Sequence, residues 1–300
     1  MKRRPLALAA VTLFAATALP LGAAFACSMC QCGDAASRLL GADIFADQRW
    51  HVALDEDHLG KDQGAEGTLL RERESENRFT LTGAWSPLPS VRLIGRVPYA
   101  WRDLSSSDGS RSLSGLADPD LSAHLRLLRT DGSRPVCISA MLGVKPGWGQ
   151  NDRTLGGVRA EEHLQPGSGA ASWMTGLGGS VTLSGVSHAY VSVSGRWNGR
   201  NAAGYRYGDA LLATVAWERA FSARAAMLSG LEFRAAKRDD DAGTLDGNSG
   251  GSVLYLAPRV RASLWGPVAL KLGLQVPMFQ NLFGGQNEHI NVESGLVIAL

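Results

Sequence analysis

Apolar and polar residues alternate with a period of two along most of this 300-residue chain. Successive side chains of a β-strand point to opposite faces, so the alternation predicts strands with one apolar and one polar face. Most of the segments are ten to fourteen residues long, which suits a tilted strand that crosses a membrane. The twelve predicted strands are 49–58, 78–86, 91–101, 118–129, 135–145, 173–184, 188–198, 207–221, 223–236, 252–264, 268–279 and 289–300.

The connections between these strands alternate strictly between short and long. A single all-β, up-and-down antiparallel transmembrane barrel of about 12 strands has this pattern, with tight turns at one end and long loops at the other. A soluble sandwich or lipocalin-like protein is the alternative, but it has no reason to keep such parity. The short connections are 86–90, 130–134, 184–187, 221–222 and 265–267, and the long ones are 59–77, 102–117, 146–172, 199–206, 237–251 and 280–288.

Charged residues lie on the polar face of the predicted strands. An Arg or Lys facing lipid at the bilayer midplane costs about 2–4 kcal/mol, so this face is expected to line the lumen. Uncompensated cations there would select anions. The alternative is that they pair with acidic residues across the barrel and fill a narrow interior. The predicted lumen set is Arg92, Arg96, Arg126, Arg196, Arg234, Arg259, Arg261 and Lys271, with Glu218, Glu232 and Glu293 as counter-charges.

Aromatic residues and the chain end support a membrane barrel. Seven of the eight tryptophans fall near predicted strand ends, as in the aromatic belts of membrane proteins. The last strand resembles the signal that the barrel-assembly machinery recognises, with Gly295, Ile298 and Leu300 at its key positions. Leu300 stands where an aromatic residue is usual. We therefore expect outer-membrane lipid and the assembly machinery as partners.

The first 26 residues predict a signal peptide. Lys2, Arg3 and Arg4 precede an apolar stretch, and Ala24-Phe25-Ala26 fits a cleavage site. Removal of these three cations changes the formal charge from +2 to −1, which gives no support for nucleic-acid binding. The expected organisation is 1–26 signal peptide, 27–48 Cys-rich periplasmic segment and 49–300 barrel. The expected location is the Gram-negative outer membrane, with both termini in the periplasm.

Three of the four cysteines form a cluster directly after the predicted cleavage site. Cys27, Cys30 and Cys32 are spaced C-x-x-C-x-C, and soft thiolates at this spacing suit copper or zinc. The periplasm is oxidising, so a disulfide within the cluster is the alternative. A lipid anchor on Cys27 and pairing of the remaining thiol with Cys137 also stay open. No other cofactor is expected.

Several short motifs resemble a family of bacterial outer-membrane transporters named for the meta-pathway of phenol degradation, in particular a branch with a Cys-rich mature N-terminus. The resemblance implies a barrel that passes small molecules, and it brings no catalytic residues and no specific solute. The motifs are CSMCQCGD at 27–34, GLADPDL at 115–121, LGVKPG at 142–147, LQPGSG at 164–169 and VPMFQNL at 276–282.

The main functional hypothesis is an outer-membrane channel for passive passage of a small solute, which is not an enzyme. Its loop 146–172 would narrow the mouth. The Glu161-Glu162-His163 stretch within this loop could bind a metal or a substrate or fold inward as a constriction, but a solvated loop patch is the favoured interpretation. One alternative is a non-conducting scaffold for a periplasmic redox or metal protein. Another is an outer-membrane lipid hydrolase, for which Ser187 and His188 are neighbours but on opposite strand faces.

Overall fold

The computed structural model describes residues 49–64 and 71–299, and these form one closed antiparallel barrel. The predicted signal peptide, the Cys27–Cys32 cluster and Leu300 lie outside the described residues. The barrel strands are β1 (Trp50–Gln63), β2 (Glu72–Leu88), β3 (Val91–Ser106), β4 (Asp120–Arg129), β5 (Val136–Lys145), β6 (Ser172–Ser184), β7 (Ser187–Asn198), β8 (Ala210–Ser222), β9 (Ala225–Ala236), β10 (Gly251–Trp265), β11 (Val268–Leu282) and β12 (Asn291–Ala299).

Each strand pairs with its neighbours in sequence, and β1 closes the sheet. It pairs with β2 over its whole length and with β12 from His51 opposite Ala299 to His58 opposite Val292. Closure leaves the barrel strands without a free edge, so that their backbone groups pair between neighbouring strands, as the hydrocarbon of a membrane requires. The sequence prediction of twelve strands in an up-and-down barrel is confirmed.

The two faces of the barrel differ in polarity as the sequence predicted. In β3, Val97 and Trp101 are exposed on the outside, whereas Arg92, Arg96 and Arg102 are buried on the inside. The arrangement reverses that of a soluble protein because the outer surface is apolar and the interior is charged. Arg and Lys on the inner face thereby avoid the cost of facing lipid.

The alternation of connections also holds. Five tight turns lie at one end, which we call the short-turn end, and six longer connections lie at the other, the long-loop end. The strands near the long-loop end are longer than predicted. β2 begins at Glu72 rather than 78, β3 runs to Ser106 rather than 101, and an extra strand, Gly109–Leu116, pairs with the far half of β3. These extensions are rich in charged residues, so they lack the alternation of apolar and polar residues from which the strands were predicted.

Tryptophans form two belts around the barrel. Trp50 and Trp85 stack at 5.5 Å between ring centroids at the short-turn end. Trp173 and Trp197 are cross-strand partners near the long-loop end, and both are exposed. The two belts mark where the apolar band meets water on each side.

The loops contribute only small elements. The helical structure among the described residues is the 3₁₀ turn Glu162–Leu164, and none of it has the length and apolarity of a membrane-crossing helix. Short strands pair within the loops: Thr154–Leu155 with Val158–Arg159, Tyr205–Arg206 with Asp240–Asp241, Asp240–Asp241 with Thr244–Leu245, and Asn287–Glu288 with β1.

Candidate functional site in the barrel interior

The predicted lumen residues lie on the inner face of the barrel, but their exposure differs strongly. Four of the arginines are almost fully buried: Arg92, Arg96, Arg196 and Arg234. Arg126 and Arg259 are partly buried. Arg261 and Lys271 are the most exposed, with side chains 53% and 40% accessible. The interior is therefore not a uniform ring of cations facing water.

Arg259 of β10 joins two carboxylates on different strands. Its Nη1 lies 2.6 Å from Glu232 Oε1 of β9, and its Nε lies 2.6 Å from Glu293 Oε2 of β12. Gln275 donates to the other oxygen of Glu232 at 2.6 Å, and Asn291 donates to Gln275 at 3.1 Å. This chain of contacts runs along the inner wall over the four adjacent strands from β9 to β12, so Arg259 is neutralised by carboxylates on the same side of the barrel.

Two further arginines of the predicted set have acidic partners. Arg96 of β3 donates both Nε and Nη2 to Asp120 at 3.0 and 2.7 Å, which is the bidentate geometry. Arg234 lies 3.4 Å from Glu288 and also donates to the hydroxyl of Tyr255. Neither Asp120 nor Glu288 was among the predicted counter-charges: Asp120 is the first residue of β4, and Glu288 lies in the long connection between β11 and β12.

Two cations of the set face the short-turn opening. Arg261 and Lys271 are direct cross-strand partners in β10 and β11. Arg261 lies 3.7 Å from Glu218, and Lys271 lies 2.5 Å from Asp55. Like charges placed opposite each other repel, and two single carboxylates on either side offset this only partly in water. Both cations are therefore available to a solute that approaches from this end.

Loop 146–171 folds into the long-loop end of the barrel. Arg102 of β3 holds it from inside, since its Nη1 donates to the carbonyl oxygens of His163 and Gln165 at 2.9 and 2.7 Å. Tyr207 of the next long loop donates its hydroxyl to the carbonyl of Glu162 at 2.9 Å. Leu164 is buried against Leu104 of β3. The solvated patch expected at 161–163 is therefore wrong for Glu162 and His163, which pack inward around these anchors, whereas Glu161 is exposed.

Asp118 fixes the base of this loop. Its carboxylate accepts hydrogen bonds from the backbone and hydroxyl of Ser168 at 2.7 and 2.5 Å, and from the backbone of Gly149 at 2.9 Å. It also pairs with Lys145 at 3.0 Å. Burial opposes ionisation of Asp118, but Lys145 and Ser168 outweigh it and hold its pKa below the usual range. The side chain is thus a permanent anion at the foot of the loop.

Three of the motifs quoted for the family resemblance meet at Asp118. GLADPDL supplies Asp118, LGVKPG supplies Lys145 and LQPGSG supplies Ser168. Gly147 has a φ of 73°, and a Cβ there would lie 2.5 Å from the backbone of Ala170, so only glycine fits this approach. The spacing of these motifs is therefore explained by the inward fold of the loop, which single-segment patterns could not reveal.

His163 joins the inward loop to two other long loops. Its Nε2 lies 3.1 Å from the hydroxyl of Tyr205 and 3.5 Å from Asp246 Oδ2. Tyr205 in turn donates to Asp239 at 2.7 Å. Burial would lower the pKa of His163, but the bond to Asp246 and the negative charge of Glu74 raise it to about 9. The imidazole is therefore cationic at neutral pH, where it bridges the loops.

Sequence reasoning missed a group of charges at the top of β1, β2 and β3. Glu74 lies 3.1 Å from Lys61, and Glu76 pairs with Arg102 at 2.8 Å and also with Arg78. Glu74 and Glu76 fall within the predicted long connection 59–77, yet both are buried in β2. Glu72, Glu74 and Glu76 alternate with the period of a strand. Residues 72–78 are polar on both faces of that strand, so the apolar alternation that predicts the other strands is absent there.

The predicted assembly signal is only partly described. Gly295 is buried on the inner face and Ile298 is exposed on the outer face of β12. A Cβ on Gly295 would lie 2.3 Å from Asp55, so glycine leaves room for the Asp55–Lys271 pair. This gives Gly295 a packing role in addition to the recognition that the sequence predicts.

The geometry expected of a lipid hydrolase is not assembled among the described residues. Ser187 accepts from the indole of Trp217 at 2.6 Å, while His188 lies 3.2 Å from Thr182. Ser122 and His124 do lie 3.2 Å apart, but both are buried inside the barrel. In the part of the chain that the structure describes, Nδ1 of His124 has no hydrogen-bond partner, so no third residue orients that imidazole.

Metal binding at the Cys27–Cys32 cluster falls outside the described residues and stays a prediction. Within residues 49–64 and 71–299, no group of three or more His, Cys, Asp or Glu side chains could hold a metal ion.

No family model and no curated protein sequence matches this chain. By structure it is similar to an outer-membrane channel from Pseudomonas putida F1, with 13% identity, a TM-score of 0.64, and coverage of 84% of this chain and 96% of that chain. It is also similar to the beta domain of the Bordetella autotransporter BrkA, with 12% identity and a TM-score of 0.48 over 84% and 100% of the two chains. A third similar structure is that of the KdgM porin, with 8% identity and a TM-score of 0.43 over 83% of this chain and 99% of that chain. The first likeness shows the barrel fold found in Gram-negative outer-membrane proteins, and scores under 0.5 add nothing to it.

Proposed function

We propose that this protein is a gated outer-membrane channel for a small solute, with both termini in the periplasm. The observation that carries the proposal is the division of a charged barrel interior into two parts. One end is filled by an inward loop held on side-chain anchors, and the other end is lined by exposed cations. Release of the loop would join the two ends into one path.

The exposed cations of the interior give the proposed channel its selectivity. Arg261 and Lys271 face the short-turn opening, whereas Arg96 and Arg259 are neutralised by carboxylates. Each of these cations contacts a single carboxylate and keeps part of its side chain in water, so an anionic solute entering from this end would compete with that carboxylate for the cation. Of the predicted lumen set, Arg261 and Lys271 are thus the residues we assign to selection.

Single-channel recording in planar bilayers tests the proposal. The refolded chain is compared with Asp118→Ala, which removes the anchor of loop 146–171, and with Asp152→Ala, a matched loss of one exposed aspartate from the same loop. We expect brief openings in the unsubstituted chain, long openings only in Asp118→Ala, and a reversal potential that favours anions. If all three proteins insert and stay silent, the channel proposal fails.

A non-conducting scaffold is the second candidate, favoured by the packing of the long-loop end. Arg102 and Gln165 are buried there at 1% and 0% exposure, so the interior at that level is as dense as a protein core. In this case the Cys27–Cys32 segment would be the part that meets a periplasmic redox or metal protein. Metal analysis of the chain with and without Cys27→Ser, Cys30→Ser and Cys32→Ser tests that prediction directly.

A further inference from the structure

The β8–β9 hairpin carries two arginines at the short-turn end of the barrel, beside the tryptophan belt. Arg219 lies in β8 two residues after Trp217 and two before Phe221, and all three side chains are exposed. Because residues two apart share a strand face, Arg219 belongs to the lipid-facing side. Arg224 follows in the turn and is also exposed.

These two arginines have no counter-charge among residues 49–64 and 71–299. Within the described residues, no hydrogen bond or ion pair of the Arg219 or Arg224 side chain is formed. Glu218, the neighbouring acid, faces the interior and pairs with Arg261. Inside the barrel, Arg96, Arg234 and Arg259 by contrast contact carboxylates. Two guanidinium groups at the membrane boundary, with no acidic partner in the described part of the chain, are suited to a ligand that brings its own negative charge.

The backbone of this hairpin is fixed by its neighbours. The hydroxyl of Ser222 accepts from the backbone N–H groups of Arg224 and Ala225, both at 3.1 Å. The carbonyl of Arg224 accepts from Ser263 of β10 at 2.7 Å. The turn is therefore held in one geometry before any ligand arrives, which lowers the entropy cost of binding.

The chemistry of the surroundings identifies the ligand class. Trp217 and Phe221 offer apolar surface at the level where acyl chains begin, and exposed Val215 continues it toward the membrane centre. A guanidinium group binds phosphate through two parallel hydrogen bonds. We propose that Trp217, Arg219, Phe221 and Arg224 form a binding site for the headgroup phosphate of an anionic phospholipid in the leaflet at the short-turn end.

This assignment rests on the barrel lying in a membrane with its apolar band outward, but not on conduction. A barrel that never conducts could still hold the lipid, and a conducting barrel could lack the site. A negative result in lipid binding would therefore refute only the lipid site, and a negative result in channel recording would refute only the proposed channel.

Native mass spectrometry of the refolded full chain in detergent, titrated with phosphatidylglycerol or phosphatidylcholine, tests the site. We expect tighter binding of phosphatidylglycerol, and a loss of about tenfold or more in Arg219→Gln/Arg224→Gln, because each arginine near an anionic headgroup contributes about fivefold. Arg219→Lys/Arg224→Lys keeps the charge but loses the two parallel hydrogen bonds, so its binding of phosphatidylglycerol should lie between that of the unsubstituted chain and that of the Gln variant. The matched control is Arg111→Gln/Arg153→Gln, which removes two exposed arginines at the long-loop end and should change binding less than twofold.

Four outcomes would overturn the assignment. Equal binding of phosphatidylcholine and phosphatidylglycerol would show that the site does not select a negatively charged headgroup. An equal loss in the Arg111/Arg153 control would show a general effect of net charge. A larger loss in Arg129→Gln/Arg134→Gln, which changes the β4–β5 turn at the same end, would move the site away from β8–β9. Displacement of the lipid by millimolar inorganic phosphate would show a free-anion site instead of a lipid site.

Discussion

The two ends of the barrel interior use the same residue types in different ways. At the long-loop end, Lys61, Glu76 and Arg102 are almost completely buried. Lys61 of β1 pairs with Glu74 of β2, and Glu76 of β2 pairs with Arg102 of β3. At the short-turn end, Arg261 and Lys271 reach water, and each contacts one carboxylate. Charge alone therefore does not distinguish a structural residue from one that can meet a solute; burial and the number of partners do.

The difference follows from solvation. A buried charge loses its water, and the loss is offset only when several partners replace it. Those partners then cannot be removed without leaving an uncompensated charge. An exposed pair in high dielectric contributes little, so its members are free to exchange a carboxylate for a passing anion. The long-loop end is accordingly expected to be the stable closure, and the short-turn end the adaptable mouth.

Asp118→Ala should have the largest effect on the difference between the closed long-loop end and the open short-turn end. It leaves Lys145 buried without its carboxylate and removes the acceptor for Ser168 and Gly149. Removal of one partner of a buried pair costs about 3–5 kcal/mol, so loop 146–171 should exchange its amide hydrogens more than a hundredfold faster. Hydrogen-exchange mass spectrometry measures this. Unchanged protection of the loop would mean that Asp118 is not its anchor.

Arg259→Met and Arg261→Met compare two inward arginines that are two residues apart on β10. Arg259→Met leaves Glu232 and Glu293 without their shared cation and should destabilise the barrel by roughly 3 kcal/mol. Arg261→Met removes an exposed cation and should cost under about 1 kcal/mol. Urea unfolding of the two variants in lipid vesicles gives both values. Equal losses would contradict the division of the interior into a packed and an open part.

A pH titration tests the His163 bridge between the loops. The pKa of His163 is raised from 6.5 to about 9 when the loop is in place. Its stabilisation of the closed loop is therefore fully present below about pH 6.5 and is lost as the pH rises through about 9. We expect channel openings to become more frequent between pH 7 and pH 10. In His163→Gln the same titration should be flat, and a persistent rise there would assign the effect to other groups.

Lys271→Gln should give the smallest change in stability and a change in selectivity. The Lys271–Asp55 pair is partly exposed, so its loss should cost under about 1 kcal/mol. Anion preference, read as the reversal potential under a salt gradient, should fall because one of two cations at the opening is gone. The comparison variant is Lys237→Gln, which removes an exposed lysine from a long loop. An equal shift in both variants would refute a local role for Lys271.

Some of this arrangement could be read along the chain and some could not. The apolar face of β3 and the short turns around Pro89 and Gly266 were predicted from alternation and turn residues alone. The inward placement of Arg92 and Arg96 followed from the cost of a charge in lipid. The partners of Arg96 and Arg234 did not follow from the sequence: Asp120 lies 24 residues from Arg96, and Glu288 lies 54 residues from Arg234.

The sequence by itself determined the barrel, because a membrane imposes one rule on every strand: an apolar outer face and satisfied backbone groups. That rule acts on each strand separately, so it produces an alternation of apolar and polar residues that can be recognised in the sequence. Tertiary structure alone decided which charges are buried and where the loop 146–171 goes. Contacts such as Arg102 with Gln165 and Asp118 with Ser168 join residues about 50 to 60 positions apart, so no local pattern carries them. The closed loop is set by geometry that appears only when the barrel is complete.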